Sequence, residues 1–223
     1  MKSSLVNETR LSPNYNSRQD TKVTRITPHC VVGQLPAARV ADMFTPERKA
    51  SANYIIGVDG ELVCNVLEEN RAWTSGNSYN DYRAITIECA SDTKSPYAFN
   101  EKCFNTLKEL IYDICIRYDK KGIILATDSN DAIYKEKNYP NFMVITYHRY
   151  FQKVECPGSW LIEHFNEVRD YVNNKLLSED ILYKVQVGAF RCRDNAEKLK
   201  NKLKEQGYSD AFIIETNNNR FGV

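Results

Sequence analysis

Residues 84–118, AITIECASDTKSPYAFNEKCFNTLKELIYDICIRY, change their apolar period once, and that change sets the fold class. From Ala84 to Cys89 the pattern alternates: Ile85 and Ile87 share one face while Thr86 and Glu88 share the other, as in a strand. From Asn100 to Tyr118 the residues Phe104, Leu107, Leu110, Ile111, Ile114 and Cys115 recur at helical spacing and make one stripe for a core to cover. A strand feeding a helix in this way predicts an α/β chain. The same order extends outward. Lys22 to His29 reads as a strand and Pro36 to Met43 as a short helix whose exit is marked by Thr45 and Pro46. Tyr54 to Val58 and Leu62 to Val66 flank Asp59-Gly60, a strong hairpin signal. Ile123 to Ala126 and Met143 to Tyr147 read as further strands, and Trp160 to Asn174 as a closing helix. The expected architecture is a mixed central β-sheet flanked by helices.

Composition bounds the possibilities. A chain of 223 residues suffices for one domain of ordinary size and a fragment of another. Thirty basic residues against 29 acidic ones give a net charge of +1, which leaves no electrostatic footprint for nucleic acid. No stretch is long and apolar enough to insert in a membrane, and MKSSLVNETRLSPNYNSRQDTK lacks the apolar middle of a signal peptide, so Sec-type export is not expected. The seven cysteines are odd in number and scattered, with Cys103 and Cys115 on the apolar side of the 100–118 helix. That pattern suits reduced thiols in a cytosolic protein.

Histidine is scarce here, with three in the whole chain. His148 and Cys156 stand either side of RYFQKVE, and Pro157-Gly158 follows the cysteine as if to hold the thiol in a tight turn. An imidazole and a thiolate are zinc ligands. His29, at the end of the strand Lys22 to Pro28, can supply a third; Cys30 competes with it, but neighbours on a strand point to opposite faces. His164 follows the helical period of Trp160 to Lys175 and reads as an ordinary helix residue. Three protein ligands leave a fourth position open, the arrangement of a catalytic zinc.

Three stretches carry a family resemblance: ITPHCVVG (26–33), SANYIIGVDGELVCNVLEENRAWTSGNSYNDYRAITIECA (51–90) and ITYHRYFQKVECPGSWL (145–161). Over residues 5–176 the chain resembles the type 2 zinc N-acetylmuramoyl-L-alanine amidases, particularly the phage endolysin branch, with their peptidoglycan-recognition-protein-like fold. The resemblance implies zinc on His29, His148 and Cys156, and hydrolysis of the amide between N-acetylmuramic acid and the L-alanine of the stem peptide. It implies Glu88 as the catalytic carboxylate; a solvated strand residue or a partner for Arg83 is the alternative. Other branches place a tyrosine beside the position of Asn53 and a lysine two residues before the metal cysteine. Here Ala52 and Val154 stand there, which throws oxyanion stabilisation onto zinc, with Lys153 a poor substitute. The segment Arg71 to Asn80 reads as a substrate wall, with Trp73 and Tyr79 as apolar surfaces and Thr74, Ser75, Asn77 and Asn80 as hydrogen-bonding groups of a polar loop. Asn53 also maps to the cleft of that family. The competing class is a module of this fold that binds peptidoglycan without cutting it.

The domain reading is residues 1–177, a short polar linker at 178–182 and a small module at 183–223. YKVQVGAFRCRDNAEKLKNKLKEQGYSDAFIIE reads as strand, helix, strand, with Asp194 or Asn195 starting the helix and Gly207 stopping it. It resembles the first half of the sporulation-related repeat (SPOR) domain, which binds glycan strands stripped of peptides; a generic βα cap is the alternative. The half-domain is expected to tether the enzyme to the wall, and its open sheet edge to support a weak homodimer. The setting expected is an endolysin held in the cytoplasm until a holin opens the membrane, with a host autolysin or recycling amidase as runner-up.

Overall fold

Seven strands of the computed structural model carry the candidate residues in one mixed sheet, ordered β1-β5-β4-β7-β3-β9-β8. The structure describes residues 1–179, 186–216 and 220–223. It divides into two units, Met1–Asp180 and Ile181–Val223. In the first, the strands are β1 (Glu8–Thr9), β3 (Arg25–Cys30), β4 (Tyr54–Ile56), β5 (Leu62–Cys64), β7 (Ala84–Cys89), β8 (Gly122–Leu125) and β9 (Phe142–Ile145). β2 (Tyr15–Ser17) and β6 (Asn70–Ala72) form a separate antiparallel pair. β4 and β5 are antiparallel across the Asp59-Gly60 turn, and all other neighbours in the large sheet run parallel. Gly60 is required in that turn: its φ is +80°, and a Cβ would lie 2.9 Å from Thr106 Oγ1.

Alternation along the central strands separates a dry face from a polar one. Ile26, Cys30, Tyr54, Ile56, Ile85, Ile87 and Cys89 join one hydrophobic core with helices α3 (Glu101–Arg117) and α5 (Ser159–Glu179). The whole predicted stripe of α3, Phe104 to Cys115, is buried there. On the opposite face α1 (Ala37–Asp42) covers Ile55 and Val63, and α4 (Ser129–Asn138) places Ala132 beside Val144. Between these flanks the sheet face is polar.

Several expectations shift. The first strand starts at Arg25, not Lys22, and includes Cys30. Within the expected loop Arg71 to Asn80, β6 ends at Ala72 and helix α2 (Ser78–Arg83) begins, capped by the Asn77 side chain accepting from Asn80 N. The helix α4 was unsuspected because Ala132 is its only buried residue and no apolar period appears. Ser178 and Glu179 are the last residues of α5, so the expected hinge at 178–180 starts inside a helix; residues 180–182 lie outside the described set.

In the second unit β10 (Ala189–Phe190), α6 (Arg193–Glu205), β11 (Ile214–Thr216) and β12 (Arg220–Gly222) form a helix and an antiparallel sheet ordered β10-β12-β11. The expected strand, helix, strand is therefore incomplete: Arg220–Gly222 supplies a further strand, at the centre of the sheet. The helix starts at Arg193, one residue before Asp194, and residues 183–185 lie outside the described set.

Glu68 ties the first unit together from inside. Its carboxylate is 1% exposed, accepts Arg117 Nη1 and Nη2 at 2.6 and 2.7 Å, and accepts the Tyr54 hydroxyl at 2.5 Å and that of Tyr118 at 3.1 Å. One buried acid thereby joins β4 to the end of α3. Glu68→Ala strands a partly buried guanidinium and a buried phenol, and should cost about 3–5 kcal/mol. Urea unfolding checks this; a loss under ~1 kcal/mol, the range of surface pairs, would contradict it.

Candidate metal centre

The site forms where three parallel strands end. The register pairs His29 of β3 with Glu88 of β7, and Thr27 with Thr86 two residues earlier. Period-two geometry puts all four on the polar face, opposite Ile26 and Ile87. His148 comes three residues after the end of β9 and opens a 3-10 turn, His148–Tyr150. Cys156 returns to the same place on the next loop, where Gly158 N donates to Glu155 O at 2.8 Å. Gly158 has φ +91°, and a Cβ would meet Pro96 O at 2.6 Å, so only glycine lets this turn seat the cysteine.

Donor atoms of His29, His148 and Cys156 lie within 4.8 Å of one another. Cys156 Sγ is 3.4 Å from His29 Nδ1, and the two imidazole centroids are 4.9 Å apart. In a tetrahedral zinc site with bonds of about 2.0–2.3 Å, neighbouring ligand atoms sit roughly 3.3–3.8 Å apart. The His29 to Cys156 separation already has that value. The remaining His29 nitrogen, Nε2, is buried without a hydrogen-bond partner, so no structural carbonyl or carboxylate claims this imidazole. Two imidazoles and a thiol also match the donor preference of zinc. The residues therefore fit the ion.

Their protonation fits too. Burial, reinforced by His148, holds His29 well below its usual range, so its ring is neutral and has a lone pair to give. Burial lowers His148 as well, although Gln152 Oε1, 3.4 Å from its Nε2, acts the other way. The Cys156 thiol is pushed up by its contact with the Cys30 thiol and by burial, so a metal would have to displace its proton. Beside them, burial and the Cys30 charge raise the Glu88 carboxyl to about 8, against a pull from Arg48. A carboxyl held near neutrality can both take and return a proton.

Beneath the ligands lies a dry polar layer. Thr27 and Thr146 share a hydroxyl bond of 2.7 Å, Asn80 Nδ2 donates to Thr27 Oγ1 at 3.0 Å, and Thr146 donates to Asn80 Oδ1 at 3.2 Å. Thr86 is joined to Thr74 at 2.7 Å. These bonds lock the strand residues two positions before His29, His148 and Glu88.

That layer corrects part of the substrate assignment. Asn53 is fully buried: its amide nitrogen serves the carbonyls of Val66, Leu67 and Asn70, and its oxygen accepts Thr86 N at 3.1 Å. It holds strands together and has nothing left for a ligand. Thr74 bonds Ser51 O and Thr86, Asn80 belongs to the layer, and Ser75 is buried against Asp81. Trp73 remains half-buried, anchored by Nε1 to Asn16 Oδ1 at 2.7 Å, and Tyr79 is exposed with Arg83 over its ring at 3.8 Å. Asn77 caps α2, and Lys153 is exposed on the loop before Cys156. His164 bonds Trp160 O and stacks on that ring at 4.2 Å, away from the trio.

Sequence reading missed Asp81, which is buried and accepts Ser75 Oγ at 2.5 Å and the amides of Thr74 and Ser75 at 3.2 Å, shaping the loop beside His148. Its signal was the capping asparagine at 77, hidden in a run read wholly as loop.

Comparison with known proteins places this geometry. No curated protein sequence matches the chain. Solved structures share its fold: a mutant endolysin from Bacillus subtilis (17% identity, TM-score 0.52, 75% of this chain and 99% of that one), the Staphylococcus aureus hydrolase AmiA in complex with its ligand (15%, 0.54, 81% and 87%), and the N-acetylmuramoyl-L-alanine amidase LysC from Clostridium intestinale (14%, 0.51, 74% and 97%). Residues 179–222 match the SPOR domain family. Residues 19–159, more than half of the chain, match Amidase_2, N-acetylmuramoyl-L-alanine amidase, so the chain belongs to that family and is an enzyme of that class.

Proposed function

We propose that this amidase uses zinc held by His29, His148 and Cys156 to hydrolyse the bond between N-acetylmuramic acid and L-alanine in peptidoglycan, and that it acts on intact cell wall as an endolysin does. The observation that carries the catalytic reading is the register of β3 with β7, which sets a proton-accepting carboxyl beside a metal-ligating histidine. When bound, zinc supplies Lewis acidity, polarising a carbonyl and lowering the pKa of water to about 7. Glu88 takes the proton of the attacking water at its carboxylate and returns it to the leaving alanine nitrogen. The Thr27, Thr146 and Asn80 layer keeps both histidines aimed while this happens, and Trp73 offers an apolar face for the substrate. With Ala52 and Val154 at the positions described above, Lys153 is a poor substitute for the lysine that other branches carry, and charge stabilisation would fall mainly to the metal these residues would hold.

The SPOR match supports a wall-directed enzyme over one that recycles soluble fragments. The tail would hold the catalytic unit on glycan already stripped of peptide, raising its local concentration there.

Three outcomes follow. Glu88→Ala should retain one zinc per chain and lose at least ~100-fold in release of new L-alanine amino termini, the scale of general acid–base catalysis; unaltered release would remove Glu88 from the mechanism. Dialysis against a chelator should abolish release and added zinc restore it; full activity in metal-free protein would leave only a non-metal amidase. Shortening the chain to residues 1–179 should leave hydrolysis of soluble muropeptide intact and abolish sedimentation with purified walls. Equal sedimentation of the two forms would exclude targeting by the tail, and turbidity assays showing intact walls untouched would favour the recycling role.

A further inference from the structure

Cys30 is not one of the three donors, yet it stands against the sulfur that is. Its backbone N–H donates to Cys156 Sγ at 3.4 Å, and Cys156 packs against the core cluster that contains Cys30. Cys30 is the last residue of β3, one position past His29, and its side chain is 9% exposed at the rim of the core. Cys156 is half-buried. On the core side Cys30 pairs in register with Cys89, and Cys89 and Cys103 are both fully buried and closed to reagents.

We infer that Cys30 and Cys156 form a dithiol modification site, which a small disulfide converts to an intramolecular Cys30–Cys156 bond that empties the metal centre. This rests on the zinc reading of the site. A sulfur 3.4 Å from the other cysteine's own backbone nitrogen is near enough to be joined to that cysteine, since a disulfide spans Cα separations of about 4.4–6.8 Å. The exchange balances. The Cys156 thiolate attacks one sulfur of the reagent, forming a mixed disulfide and expelling a thiolate that takes up a proton. Cys30, giving its proton to solvent, then attacks the Cys156 sulfur and expels the second thiolate, which is protonated in turn. Two electrons pass from the cysteine pair to the reagent, which leaves as two thiols. Cys156 no longer has an anionic sulfur to offer, and zinc affinity, which requires the deprotonated thiol, is lost.

Zinc-loaded full-length protein is treated with hydroxyethyl disulfide in the presence of a chromophoric chelator, followed by peptide mapping. Expected are one zinc released per chain, a cross-linked peptide joining Cys30 to Cys156, and recovery of both thiols with dithiothreitol. The exposed Cys192 takes a separate adduct that the map distinguishes. Cys30→Ser keeps the backbone donor, so it should bind zinc as before, form no cross-link, and release zinc at least tenfold more slowly or only with an adduct on Cys156. Wild-type protein that keeps its zinc, or loses it without the cross-link, overturns the inference, as does zinc loss from Cys30→Ser at the wild-type rate without a Cys156 adduct. Protein that never binds zinc contradicts the metal reading instead, and the cross-link is then scored alone on that protein.

Discussion

The parallel pairing of β3 with β7 is the constraint on which everything at the site depends. Because residues in register on adjacent strands share a face, one choice of alignment sets His29 beside Glu88 and Thr27 beside Thr86. A slip of one residue would bring Ile87 beside the histidine and turn Glu88 into the core. The slip is prevented from the other side of the sheet, where Ile26, Ile85, Ile87 and Cys89 are buried against α3 and α5. The apolar core thus specifies the register that sets His29 beside Glu88.

Binding function at strand ends also explains the division of polar labour. Thr27 and Thr146, two residues before His29 and His148, spend their hydrogen bonds on each other and on Asn80 of α2, while the histidines are left with unspent capacity. His29 Nε2 is buried without a partner, and Glu88 is held near neutrality by burial. An unsatisfied imidazole and a strained carboxyl cost folding free energy, and both sit where a ligand or a proton would relieve them. Cys156 Sγ accepts a backbone amide of the strand that carries His29.

Much of this was legible because it rests on periodicity and on rare residue types. The bounds of β7 coincide with the alternation of Ala84 to Cys89, and the α3 stripe is the buried face of that helix. Three histidines and one Cys-Pro-Gly turn left few ways to assemble a ligand set, and the structure brings His29, His148 and Cys156 together. What stayed hidden had no such signature. Polarity marks Asn53 and Thr74 as hydrogen-bonding residues but does not tell whether their partners are a ligand or the chain itself, and here they are Val66, Leu67, Asn70, Ser51 and Thr86. Helix α2 lay in a run too polar to show a period, and α4 buries one alanine. The tail's middle strand, Arg220–Gly222, is three residues long and follows an asparagine run that reads as an ending.

X-ray absorption of the zinc-loaded protein tests the central claim most directly, because it counts sulfur around the metal. The account requires one sulfur at about 2.3 Å with nitrogen or oxygen ligands at about 2.0–2.2 Å, since Cys156 coordinates and Cys30 is not one of the donors. Two sulfurs would place Cys30 in the ligand set and break the strand-face argument; none would remove Cys156 from the site.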